Sequence, residues 1–356
     1  MTRAARPDLT PLLRHGCPPG PHDTITDVAG VRVGHTDVRL GPAPDGAHDV
    51  VTGVTAVVFD QLSGERRSLP ANLAVGNGHG KLVGATQLVE LGALETPIVL
   101  TSTLSTFAAA DALVDWVLRR PGQEATTTLN PLVAECNDGW LSDIRARAIT
   151  ADHVHAALDG AQGGVPAEGA VGAGSGMVCL GYKGGIGTSS RTARLGDYAV
   201  TVGALALTNF SGDLRVGSLD LAAGAVLGAG GPDDAHGRAS AATKEPHTQG
   251  NSCIVLLVTD AAVDARQLRR VAQRGVLAMG RVGAAFTHGS GDYGLAVSTA
   301  PPAPARPDHE LDPLLAASLE AAEAALVRSL LEATTTRGQR GRVAHALPWS
   351  ALGLER

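Results

Sequence analysis

The chain alternates short apolar runs with glycine-punctuated polar stretches, and one run stands apart. Ile254 to Val258 is five consecutive aliphatic residues, three of them β-branched, the pattern of a strand buried on both faces. The polar segment Thr248-Gln249-Gly250-Asn251-Ser252-Cys253 leads directly into it. Further strands are predicted at Val31–His35, Gly53–Phe59, Pro97–Leu100, Met177–Leu180 and Tyr198–Leu207, and one begins at Leu295 to Ser298. One helix is predicted from about Ser105 to Arg119, stopped by Pro121, and another from a Thr150 cap through Leu158, ending at Gly160. A third presents Leu268, Val271, Ala272, Leu277 and Met279 on one face. A fourth starts at Asp312-Pro313 by cap and N1 chemistry, with Leu315, Leu319, Ala322, Leu326 and Leu330 as its apolar stripe. Leu40 to His48 is turn-forming, 301–307 is a linker, and Gly228 to Thr248 is a polar loop. Residues 1 to about 23 form a Pro/Gly-punctuated arm, expected to lie across a partner subunit. Strands and helices mixed in this way imply a layered α/β core.

The polar lead into the central strand carries chemistry of its own. A turn is the commoner meaning of Asn-Ser before a strand. At a junction that Gly250 lets bend, though, the Ser252 hydroxyl can attack the carbonyl of Asn251 in an N-to-O acyl shift. Hydrolysis of the resulting ester leaves Ser252 as a new N-terminus. It then carries a nucleophilic hydroxyl and, in its α-amine of pKa about 7.7–8.0, its own general base.

Composition narrows the setting. The 356 residues include 45 glycines and are 44% hydrophobic but only 3% aromatic, so the core is built from Ala, Val, Leu and Ile. A net charge of −6 without a Lys/Arg block argues against nucleic acid. No apolar run approaches the ~20 residues of a membrane span, and no apolar signal segment precedes Gly16–Gly20. Cys17, Cys136, Cys179 and Cys253 lack zinc-site spacing and are expected to be reduced, so a cytoplasmic location is expected.

Seven stretches occur in one order: ITDVAGVRVGHTDV (25–38), GNGHGK (76–81), ECNDGWLSDI (135–144), GAGSGMVCLGYKGGIGTSSR (172–191), TNFSG (208–212), GNSCIVLLVTD (250–260) and HGSGDY (288–293). In these the chain resembles the DmpA and β-peptidyl aminopeptidase family of self-processing N-terminal nucleophile hydrolases, from roughly residue 20 to 300. The resemblance implies a four-layer αββα sandwich, self-cleaved into 1–251 and 252–356 yet folded as one unit. It makes Ser252 the nucleophile, Asn209 an oxyanion donor, and Ser290 with Asp292 the groups that position the nucleophile's hydroxyl and amine. Many relatives carry Glu where this chain has Asp292, whose carboxylate is one methylene shorter. Glu135 would hold the substrate ammonium by a charge-assisted hydrogen bond. Asn137, where some relatives have an aromatic residue, and nearby Trp140 would bear on side-chain preference. The implied partner is a short peptide, amide or ester with an L-, D- or β-amino acid at its N-terminus, the enzyme being a homo-oligomer without cofactor.

Two glycine stretches imitate other sites. Gly76 to Lys81 lacks the Ser or Thr that a Walker loop places after its Lys, and Gly184 to Ser190 could present N–H groups to an anion. In the family reading both shape the pocket. Twelve histidines without an H-E-x-x-H pattern give no metal hydrolase. Two other classes stay open: an acyltransferase of the ornithine acetyltransferase type, against which Ser252 in place of threonine argues, and a non-catalytic small-anion-binding protein.

Overall fold

A computed structural model describes residues 6–42, 48–62, 66–227, 251–301, 304 and 306–355. The polar loop 228–248, with Gln249 and Gly250, lies outside them. Alternating Val, Ile and Leu build two sheets. The first has four strands in the order β1 (Val31–Pro42), β2 (His48–Phe59), β4 (Ile98–Ser102) and β5 (Leu132–Cys136). The second runs from a short strand at Ala93–Leu94 through β3 (Leu69–Gly78), β9 (Ser290–Ser298), β8 (Asn251–Thr259) and β7 (Tyr198–Asn209) to β6 (Ile186–Leu195). β4 and β5 pair in parallel, as do β8 and β9, and the other neighbours are antiparallel.

The sheets pack face to face. Ile254, Leu256 and Val258 of β8 meet Ile98, Leu100, Leu132 and Ala134 of the first sheet in the inner layer. Cys253, Val255 and Leu257 point the other way, to helices α3 (Ala265–Arg281) and α4 (Asp312–Leu331). Val54, Ala56, Val99 and Val133 of the first sheet face α1 (Thr106–Leu118) and α2 (Ala151–Asp159). Period-two alternation thus sorts each strand between two layers, and the result is the expected αββα sandwich. Each fully buried Val, Leu or Ile contributes roughly 1.5–3 kcal/mol.

Several expectations change. β8 begins at Asn251 and β9 at Ser290, so Asn251-Ser252 and Ser290 to Tyr293 are strand, while His288 and Gly289 form a turn. Most of the glycine-rich 184–190 stretch belongs to β6, and a Cβ at Gly187 would lie 2.0 Å from the Ala325 carbonyl of α4. Met177–Leu180 keeps only a two-residue strand, Val178–Cys179. α4 carries no simple stripe, being buried on nearly every side, with Leu311 rather than Asp312 at its N-cap. In α3, Leu277 is half exposed. The described part of the N-terminal arm covers the chain's own α4: His15 bonds Glu323, and Arg328 bonds the Pro7 carbonyl and Asp23. All four cysteines are unpaired, and no helix among the described residues is long and apolar enough to cross a membrane.

Candidate active site

β8 lies between β7 and β9, and its first residues collect the site. Ser252 is in register with Asn209 of β7 and Gly291 of β9. Neighbours in register share a face, so Ser252 and Asn209 point into the layer between the sheets. Asn251 and Cys253, in register with Ser290 and Asp292, point to the opposite face. Ser252 is buried, and its Oγ donates a hydrogen bond of 2.5 Å to the carbonyl oxygen of Asn251. The hydroxyl therefore already rests against the peptide group it would attack.

The Asn209 side chain is hydrogen-bonded through both its oxygen and its nitrogen. Its Oδ1 accepts from the Val178 N–H at 3.0 Å, and its Nδ2 donates to the Asn137 carbonyl at 2.9 Å. Asn137 is thus tied to the site through its backbone; its side chain caps a local turn by accepting from the Gly139 N–H. Trp140 is directed elsewhere, packing with Leu141, Val178 and Ala344 beneath the Arg342 guanidinium.

Ser290 Oγ donates to Asp292 Oδ1 at 2.7 Å. Both side chains stand on the face away from the Ser252 hydroxyl, in register with Asn251 and Cys253 of β8. Burial pushes the Asp292 carboxyl up to about 6, opposed by the Ser290 hydroxyl and the Cys253 N–H. Glu135, buried at the end of β5, accepts the Lys81 N–H on Oε1 at 2.8 Å. Burial raises its pKa too, against the Lys81 N–H, the Thr103 hydroxyl and the Lys81 ammonium. Among the described residues, Glu135 Oε2 and Asp292 Oδ2 are each buried without a hydrogen-bond partner. A buried carboxylate oxygen without a partner is costly, and these two lie on separate strands, β5 and β9.

The GNGHGK stretch closes the site from above. A Cβ at Gly80 would meet the Tyr293 ring at 2.8 Å and Glu135 Oε1 at 3.3 Å, while one at Gly291 would lie 2.5 Å from Gly80 and 3.4 Å from Ser252 Oγ. Gly80 and Gly291 let these two backbones touch beside the Ser252 hydroxyl. Tyr293 Oη donates to the Gly80 carbonyl at 2.9 Å. Tyr293 escaped sequence reasoning although it ends HGSGDY; its place in a quoted motif was the available signal. A separate cleft of about 430 Å³, between Arg32, Trp116 and Arg120, opens beside Pro97 and Leu129, near the other ends of β4 and β5. Among the described residues, no three His, Cys, Asp or Glu side chains form a metal-ligating group.

A serine hydroxyl set against the peptide bond on its own amino side, within an αββα sandwich, defines the N-terminal nucleophile class of hydrolases. This chain belongs to peptidase family S58, whose family model matches residues 23–344. It is 36% identical to the β-peptidyl aminopeptidase BapA of Sphingosinicella xenopeptidilytica, covering 94% of this chain and 87% of that one. A solved structure from Pyrococcus horikoshii OT3 superposes with a TM-score of 0.82 at 38% identity, over 96% of this chain and 97% of the other. The L-aminopeptidase D-Ala-esterase/amidase of Ochrobactrum anthropi, described as a prototype serine aminopeptidase and a variant of the N-terminal nucleophile fold, gives 0.83 at 29% identity, over 96% and 95%. The protein is accordingly a peptide-bond hydrolase, an aminopeptidase of the N-terminal nucleophile type. The acyltransferase and non-catalytic readings fall away with that assignment.

Proposed function

We propose that the chain cleaves itself between Asn251 and Ser252 and then releases N-terminal residues from short peptides, amides or esters, β-amino acids among them. The two orphaned carboxylate oxygens carry this reading. Cleavage creates one ammonium at Ser252, beside Asp292, and the substrate brings a second, for Glu135.

In the first step the Oγ–C bond to Asn251 forms, the C–N bond breaks, and the serine proton passes to the departing nitrogen. Water then hydrolyses the ester, regenerating the hydroxyl and leaving a carboxylate on Asn251. In turnover the α-amine of Ser252 takes the Oγ proton as Oγ attacks the substrate carbonyl, and returns it to the leaving amine. The Asn209 amide donates to the oxyanion, Ser290 and Asp292 hold the α-amine, and water releases the acyl group. Asn137 supports this arrangement by accepting from Asn209, and Trp140 bears on preference only indirectly. A p-nitroanilide panel of L-, D- and β-amino acids tests the substrate range; turnover of N-blocked derivatives alone would contradict the aminopeptidase role. Unpaired thiols suit a reducing, cytoplasmic compartment. The processed pair 1–251 and 252–356 is expected to form a homo-oligomer, and sedimentation at the 36.1 kDa chain mass would refute that.

Burial of the Asp292 carboxyl also bears on stability. Its unfolded pKa is about 3.9, and burial raises it to about 6 in the fold. The fold therefore favours the protonated form; this contribution is complete below pH ~4 and is lost as pH rises through ~6. In the uncut Ser252→Ala chain, adding Asp292→Asn should raise the melting temperature at pH 8, by a margin that shrinks toward pH 4. An unchanged or lower melting temperature at pH 8 would show that Asp292 is already compensated.

A further inference from the structure

Asn251, on whose carbonyl cleavage acts, is held by its own side chain. Its Oδ1 accepts from Ser211 Oγ at 2.8 Å, and its Nδ2 donates to Thr287 Oγ1 at 2.9 Å. Both holders are fixed in turn. The Thr287 carbonyl accepts from Asn77 Nδ2 at 2.5 Å and from the Ser290 N–H at 2.9 Å. The Ser211 carbonyl accepts from the Ala285 N–H at 2.9 Å, and Gly212 bridges Ala284, so the loop after β7 is tied to the loop before β9. Asn251 itself is buried.

We infer that Ser211 and Thr287 are positioning residues for self-cleavage, acting as a two-hydroxyl clamp on the Asn251 carboxamide. The inference rests on the self-cleavage reading above and adds to it the residues that aim the scissile bond. A carboxamide bonded at both ends fixes the rotamer of Asn251 on the α3 face of β8. With its strand pairing, that orients the Asn251–Ser252 peptide plane so that the carbonyl meets Ser252 Oγ on the other face. Intramolecular attack gains its rate from such a restricted geometry, so loosening the clamp slows the shift without touching nucleophile, amine or oxyanion donor. The clamp also holds the carboxamide nitrogen away from its own backbone carbonyl, the competing ring closure open to an asparagine.

The test follows the full chain during cell-free synthesis, measuring the intact fraction against time on denaturing gels. Ser211→Ala and Thr287→Val should each slow cleavage by roughly three- to tenfold, the effect of losing one hydrogen bond. Thr287→Ser, which keeps the hydroxyl, should cleave at the wild-type rate. Asn251→Ala should be slower than wild type, and in that background Ser211→Ala and Thr287→Val should add nothing, because the side chain they hold is gone. Wild-type rates in Ser211→Ala and Thr287→Val, or equal slowing with and without the Asn251 side chain, would overturn the clamp while leaving self-cleavage intact. Failure of Thr287→Ser to restore the rate would also count against it. A wild-type chain that never cleaves would overturn the self-cleavage reading and the clamp together.

Discussion

Ser252→Ala is expected to accumulate as one uncut 36.1 kDa chain without turnover. The substitution removes two groups at once. With no hydroxyl there is no acyl shift, and without the shift the nitrogen of residue 252 stays in an amide, so the general base never appears. Removing a catalytic serine from a hydrolase costs about six decades of kcat, and here the base is lost with it. Folding should survive, because the only hydrogen bond the Ser252 side chain donates goes to the adjacent Asn251 carbonyl. Ser252→Thr keeps the hydroxyl but adds a methyl group where Gly80 and Gly291 already touch, and should cleave slowly. Gel mobility, melting temperature and p-nitroanilide turnover check these outcomes; efficient cutting of Ser252→Ala would assign the cleavage to another protease.

Glu135→Gln is expected to separate substrates by charge. The glutamine keeps the shape and can still accept the Lys81 N–H, but it cannot pair with an ammonium. Burial raises the Glu135 pKa, and its Oε2 has no partner, so a substrate ammonium would satisfy that oxygen and favour the ionised form. Losing a charge-assisted hydrogen bond costs about 1.5–3 kcal/mol or somewhat more, so kcat/KM for free-amine substrates should fall by roughly one to three decades. Self-cleavage should continue, since Asn251 presents no free ammonium. N-acetylated substrates, poor from the start, should barely change. Equal losses on free and acetylated p-nitroanilides would mean that Glu135 supports the fold or the nucleophile instead.

Much of this was legible in the sequence wherever one residue type has one physical meaning. Five aliphatic residues in a row, three of them β-branched, read as a buried strand, and β8 is that strand, with Ser252 near its start. Thr150 and Gly160 bracket α2 as cap chemistry requires. β3 and β5 were missed because Leu69–Gly78 ends in Gly-Asn-Gly and Leu132–Cys136 carries a glutamate, features that favour turns or surface until tertiary packing buries them. The α4 stripe misled because the arm covers the face that isolated periodicity assigns to solvent. The candidate site residues came from the quoted motifs, whereas the direction each side chain takes was not legible. The Asn137 carbonyl accepts from Asn209, and Ser290 and Asp292 lie on the other face of the sheet from the Ser252 hydroxyl, distinctions that need strand register. Ser211 and Thr287 lie 40 and 36 residues from Asn251, a separation no local spacing rule connects.

The central claim is that this hydrolase makes its own catalytic N-terminus, and the direct measurement is intact mass with N-terminal sequencing of purified, active wild-type protein. The account predicts two chains, 1–251 and 252–356, the second beginning Ser252-Cys253-Ile254. A single full-length chain that turns over substrate, or a second N-terminus at any other residue, would contradict it.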